Sequence, residues 1–76
     1  MKDYPRMNSE KIKQIERYIQ KIFNNNHIQL KKRQQSSDSV EFLIGDETFG
    51  LVFQDNEDDD ICYHVELTLL DEDINK

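Results

Sequence analysis

Val40-Glu41-Phe42-Leu43-Ile44-Gly45-Asp46-Glu47-Thr48-Phe49-Gly50-Leu51-Val52-Phe53-Gln54 is the stretch on which the fold turns. Two runs rich in β-branched and aromatic residues flank Gly45-Asp46. A two-residue loop with glycine first suits a type II′ hairpin turn, whose twist matches that of the flanking strands. The loop also sets a pairing register. Phe42 then faces Phe49 and Val40 faces Leu51 on one side, while Leu43 faces Thr48 on the other.

Working outward, residues 54–60 are dominated by acid and read as a seven-residue connection. Residues 61–69 then alternate apolar and polar as a fourth strand. Upstream of the hairpin, residues 34–38 form a polar loop, and residues 27–31 alternate around Ile28 and Leu30 as a first, edge strand. Before that the period changes. Ile12, Ile15, Ile19, Ile22 and Phe23 recur at spacings of three and four, beside Tyr18, and predict a helix over 9–23. Ser9 is the expected N-cap, with Asn8 as the alternative, and Asn24-Asn25-Asn26 provides the stop. Residues 71–76 are a tail with a short turn pinned by Ile74.

The fold class that follows is α+β: one N-terminal helix packed on a four-stranded antiparallel β-meander, in the order α-β-β-β-β. The expected core is Ile12, Ile15, Ile19, Ile22, Phe23, Ile28, Leu30, Val40, Phe42, Phe49, Leu51, Tyr63, Val65 and Leu67. One helix covers one sheet face and leaves the other open. With Phe53 placed opposite Ile61, the open face carries the rows Ser39–Val52–Cys62, Glu41–Gly50–His64 and Leu43–Thr48–Glu66. Glu41, Leu43, Gly50, Val52, Cys62 and His64 are therefore the candidate interaction face, with Gly50 as a notch between Glu41 and His64.

A chain of 76 residues makes one domain. A domain of that size buries only about 60% of its unfolded surface, so self-association would help it. No apolar run is long enough to span a bilayer, and the first residues carry no secretory pattern. The single cysteine fits a reducing cytosol. Charge is segregated: residues 1–33 hold nine basic side chains against three acidic, whereas residues 34–76 hold thirteen acidic against one basic. The net charge of -6 argues against general affinity for nucleic acid.

The helix segment Ile15-Glu16-Arg17-Tyr18-Ile19-Gln20-Lys21-Ile22-Phe23-Asn24-Asn25, the hairpin Gly45-Asp46-Glu47-Thr48-Phe49-Gly50 and the ending Leu69-Leu70-Asp71-Glu72-Asp73-Ile74 resemble a small alphaproteobacterial family of unknown function. The resemblance covers residues 8–74 as a single domain. Residues 1–7 read as an N-terminal extension expected to be disordered, with Met7 as an alternative start, and residues 75–76 as the C-terminal end. What the resemblance implies is a bacterial cytosolic setting; it carries no activity and no catalytic residue.

Four groups of residues are candidates for chemistry. Asp55, Glu57, Asp59 and Glu66 match positions of a calcium loop, but Asp60 occupies the place of the glycine that the sharp turn needs. Cys62, His64 and Glu66 alternate on one strand face as a zinc half-site begins, yet only His27 remains as a further His or Cys. As a nucleophile, Cys62 would need a positive environment, and its neighbours are acidic. Lys13, Arg17 and Lys21 with Lys31, Lys32 and Arg33 form a candidate basic patch without aromatic residues for base stacking. The reading that results is a non-catalytic protein-interaction module. No cofactor and no metal is expected, the partner is a second copy or another protein, and no membrane is involved. Nucleic-acid binding through the basic patch is the alternative.

Overall fold

The computed structural model describes residues 7–33, 39–57 and 60–75. Helix α1 (Ser9–Phe23) precedes strands β1 (Ile28–Lys32), β2 (Ser39–Ile44), β3 (Glu47–Glu57) and β4 (Asp60–Leu67), and a short helix α2 (Asp71–Ile74) follows. The strands form one antiparallel sheet in the order β1-β2-β3-β4, the expected meander. The polar loop over 34–38, most of the N-terminal extension (1–6) and Lys76 lie outside the described residues.

Asn8, not Ser9, caps α1: its Oδ1 accepts the Lys11 N–H at 2.8 Å, while the backbone of Ser9 is already helical. The stop is as expected. Asn24 takes the left-handed conformation (φ 53°), the Asn24 N–H donates to the Lys21 carbonyl and the Asn25 N–H to the Gln20 carbonyl. This is the Schellman pattern, with asparagine in the place that usually goes to glycine.

The hairpin turn has the expected chemistry. Gly45 has φ 65°, and among the described non-glycine residues only Asn24 has positive φ, which excludes a type I′ turn at Gly45-Asp46. Beyond the turn the register departs from expectation. Leu43 pairs with Thr48, but Phe42 pairs with Gly50 and Val40 with Val52, so a bulge sits at Phe49. A Cβ on Gly50 would run into the backbone carbonyl of Glu66, so only glycine lets β4 approach this closely. Because side chains alternate, one extra residue exchanges the two faces of β3. Val52 therefore enters the core fully buried, and Leu51, expected there, moves to the opposite face.

The second register also shifts. Phe53 pairs with His64 rather than Ile61, and the ladder continues through Asp55–Cys62 and Asn56–Ile61 to Glu57–Asp60. The acidic run is thus mostly strand, not a seven-residue connection; residues 58–59 lie outside the described residues. The two register changes cancel for β4, whose Tyr63 and Val65 still share the face of the helix.

The buried core is Met7, Ile12, Ile15, Ile19, Ile28, Leu30, Val40, Phe42 and Val52, with Ile44, Phe49 and Tyr63 packed against it. Met7 closes the end of this cluster, although the sequence placed it in an extension. Ile22, Phe23, Val65 and Leu67, expected inside, are substantially exposed, Ile22 by 56% and Leu67 by 46%. The cause is the position of α1, which lies nearest β1 rather than across the middle of the sheet. Two side-chain bonds hold it there: the Leu30 N–H donates to Glu16 Oε2 and Gln20 Nε2 donates to the Ile28 carbonyl, both at 2.8 Å. These bonds satisfy outward backbone groups of an edge strand, so they anchor the helix and cap the edge together.

Candidate functional site

The off-centre helix divides the helix-side sheet face into a covered half over β1–β2 and an uncovered half over β3–β4. Between α1 and β4 the uncovered half forms an apolar groove of about 440 Å³, walled by Tyr18, Ile22 and Val65 with Val52 and Tyr63 at its base. Tyr18 is 64% exposed on its rim. Burial pushes the Tyr63 phenol up from its ordinary value. A second hollow of about 260 Å³ lies between Phe49 and α2, with Leu69, Leu70 and Ile74 exposed around it. Ile74 therefore does not pin the tail into the core.

The sheet face away from α1 differs from the expected docking face. Glu41, Leu43, Cys62 and His64 stand on it, but Val52 is buried on the other side and Gly50 faces Phe42 within the sheet. The observed rows are Ser39–Phe53–His64 and Glu41–Leu51–Glu66, with Leu43–Thr48 alone as expected. There is no notch at Gly50, because the β4 backbone fills that space. Half-buried Leu51 and Phe53 take the apolar places assigned to Val52. Gly50 itself was the available signal, since a glycine inside a strand pattern marks a bulge or a close backbone approach.

The β3–β4 register creates a cluster that the sequence did not assemble. Asp55 pairs with Cys62, and His64 follows on the same face. His64 Nε2 lies 3.6 Å from Cys62 Sγ and 3.1 Å from Asp55 Oδ2. The His64 ring stacks on Phe53, with centroids 5.2 Å apart and planes at 27°, which fixes its orientation. The calcium-loop pattern is not realised: Asp55 and Glu57 belong to the ladder, Glu66 pairs with Leu51 well up β4, and Asp59 lies outside the described residues.

A family model described as protein of unknown function, DUF3126, matches residues 11–73. The chain belongs to that family. Searches among curated proteins and among solved structures return no match. The DUF3126 match runs from the first turns of α1 into α2, so the groove, the open face and the Asp55–Cys62–His64 cluster all lie within the family domain.

Within this DUF3126 domain the candidate basic residues do not make one patch. Lys13, Arg17 and Lys21 are exposed along α1, whereas Lys31 alternates with buried Leu30 and so stands on the face away from the helix. Lys32 is exposed at the end of β1, and Arg33 Nη1 donates to Ser39 Oγ at 3.3 Å. Among the described residues no helix is long and apolar enough to cross a membrane.

Proposed function

We propose that this protein is a small, non-catalytic protein-interaction module of the bacterial cytosol whose first partner is a second copy of itself, joined through β4 and the groove beside it. One observation carries the reading: α1 covers only the β1–β2 half of its sheet face, leaving Tyr18, Ile22, Val65 and Leu67 exposed beside an edge strand. The two edges support the same choice. On β1, Lys31 and Lys32 and the bonds from Glu16 and Gln20 discourage pairing. The β4 sequence Asp60-Ile61-Cys62-Tyr63-His64-Val65-Glu66-Leu67 contains neither lysine nor proline. A twofold pairing of β4 with β4 of a second copy extends the sheet and brings both apolar grooves to the joint in one step. The lone cysteine supports a reducing compartment, and the resemblance noted in the sequence supports the bacterial setting.

Sedimentation equilibrium tests the reading. The parent chain is expected to dimerise, and Ile22→Lys and Leu67→Lys, both at exposed sites, are expected to be monomeric with unchanged circular dichroism. Salt gives a second check. Two copies carrying -6 each associate more tightly as salt screens their repulsion, whereas binding to nucleic acid weakens steeply with salt. Equal association of parent and both variants would refute the assigned surface.

A further inference from the structure

The Asp55–Cys62–His64 cluster admits two chemical readings, and its geometry separates them. In a cysteine–histidine–carboxylate triad the thiol and the carboxylate use opposite ring nitrogens, so that the ring can take a proton on one side while held on the other. Here both Cys62 Sγ and Asp55 Oδ2 approach the same atom, His64 Nε2. One ring nitrogen offers either a proton or a lone pair, not both, so it cannot serve the two partners as a relay. Three ligand atoms that all lie within 4.8 Å of one another instead leave a point between them that a single ion would share.

We infer that Asp55, Cys62 and His64 bind one zinc-type divalent transition-metal ion on the sheet face away from α1. Zinc bonds of the usual lengths to sulfur and to nitrogen, at the tetrahedral angle, separate those atoms by about 3.5 Å, and a nitrogen–oxygen pair by about 3.3 Å. The separations of 3.6 Å and 3.1 Å are close to these values, and the sulfur–oxygen pair, within 4.8 Å, is brought to bonding distance by side-chain rotation. The donor set of one thiolate, one imidazole and one carboxylate selects a borderline-soft cation over calcium or magnesium. The site is held by rigid elements: Asp55 and Cys62 are rung partners of the ladder, and Phe53 stacks on the His64 ring.

Three protein donors leave a fourth position for water, reached directly because Cys62 and His64 are exposed. On binding, the Cys62 S–H bond breaks, its electron pair goes to the metal, and the proton leaves to solvent. No oxidant or reductant is needed. Acidic neighbours that disfavour a bare thiolate become favourable once the ion supplies its own positive charge. This inference does not depend on the proposed dimer, whose groove lies on the other side of the sheet.

The test uses the full chain and cobalt(II) as a spectroscopic substitute, followed by displacement with zinc. One cobalt per chain is expected, with a thiolate-to-metal charge-transfer band and the intense visible bands of tetrahedral coordination. Cys62→Ser is expected to lose the charge-transfer band, and Cys62→Ser, His64→Gln and Asp55→Asn each to weaken zinc binding by about tenfold or more. Asp60→Asn, outside the ligand set, is expected to leave both unchanged, and thermal melts of the apo-variants establish that each is folded. Cobalt bound without the sulfur band, binding equally strong in Cys62→Ser, or no binding by the folded parent would overturn the assignment.

Discussion

The two halves of one sheet solve the same problem in opposite ways. Over β1 and β2 the helix buries Ile28, Leu30, Val40 and Phe42, and Glu16 and Gln20 occupy backbone groups at the outer edge. Among the described residues of β3 and β4, only Val52 is fully buried, while Val65 and Leu67 remain exposed beside the β4 edge. The difference teaches where stability and availability reside. The covered half holds most of the buried apolar side chains, and the uncovered half leaves apolar surface that the proposed dimer would bury.

The sharpest way to break this comparison is a matched pair of truncations. Phe42→Ala removes a fully buried ring and is expected to cost about 3–5 kcal/mol, comparable to the whole stability of so small a domain. Leu67→Ala on the uncovered half is expected to cost less than about 1 kcal/mol, because the side chain is already wet. Urea denaturation of both variants measures the contrast, and similar costs would dissolve it.

Glycines give the next largest effect. Gly50→Ala sets a Cβ against the β4 backbone, which must move, and a loss of about 2–3 kcal/mol is expected. At Gly45 a Cβ meets nothing within 4 Å, so Gly45→Ala pays only for positive φ, about 1 kcal/mol. Thermal melts should rank them in that order. The reverse ranking would mean that the β4 backbone does not approach Gly50 as closely as described.

These positions also mark what the sequence could and could not convey. The helix was legible because Ile12, Ile15 and Ile19 repeat at its period and Asn24 accepts the left-handed stop. The turn was legible because glycine at position 45 has one conformational reason to be there. The bulge was not, since Phe42 opposite Phe49 looks as good in sequence as Phe42 opposite Gly50; only the close approach of the Glu66 backbone decides. Nor was the β3–β4 register, because the polar run Asp55-Asn56-Glu57 looks like loop yet extends the ladder. The Asp55–Cys62–His64 cluster depended on that register, so two of its members could be suspected and the third could not. The exposed groove escaped for a related reason: a helical stripe gives the buried face of α1, not how far across the sheet it sits.

A smaller effect sharpens the comparison at the edges. Glu16→Ala removes the acceptor for the Leu30 N–H and is expected to cost about 1 kcal/mol. It should also make β1 sticky, so that assemblies larger than a dimer form at high concentration. Light scattering of Glu16→Ala beside the parent reads this directly, and a strictly dimeric variant would mean that Glu16 does not guard the edge.

Amide hydrogen exchange across a dilution series tests the central claim most directly. The Thr68 N–H donates to the Phe49 carbonyl at 2.7 Å, so by alternation the amides of Ile61, Tyr63, Val65 and Leu67 face outward from β4. The Leu30 amide, bonded to Glu16, should be protected at every concentration. The four β4 amides should exchange quickly when the chain is dilute and become protected together as it is concentrated. Outward β4 amides that stay unprotected at every concentration, or a Leu30 amide that exchanges as fast as they do, would contradict the division of the sheet into a sealed half and an available one.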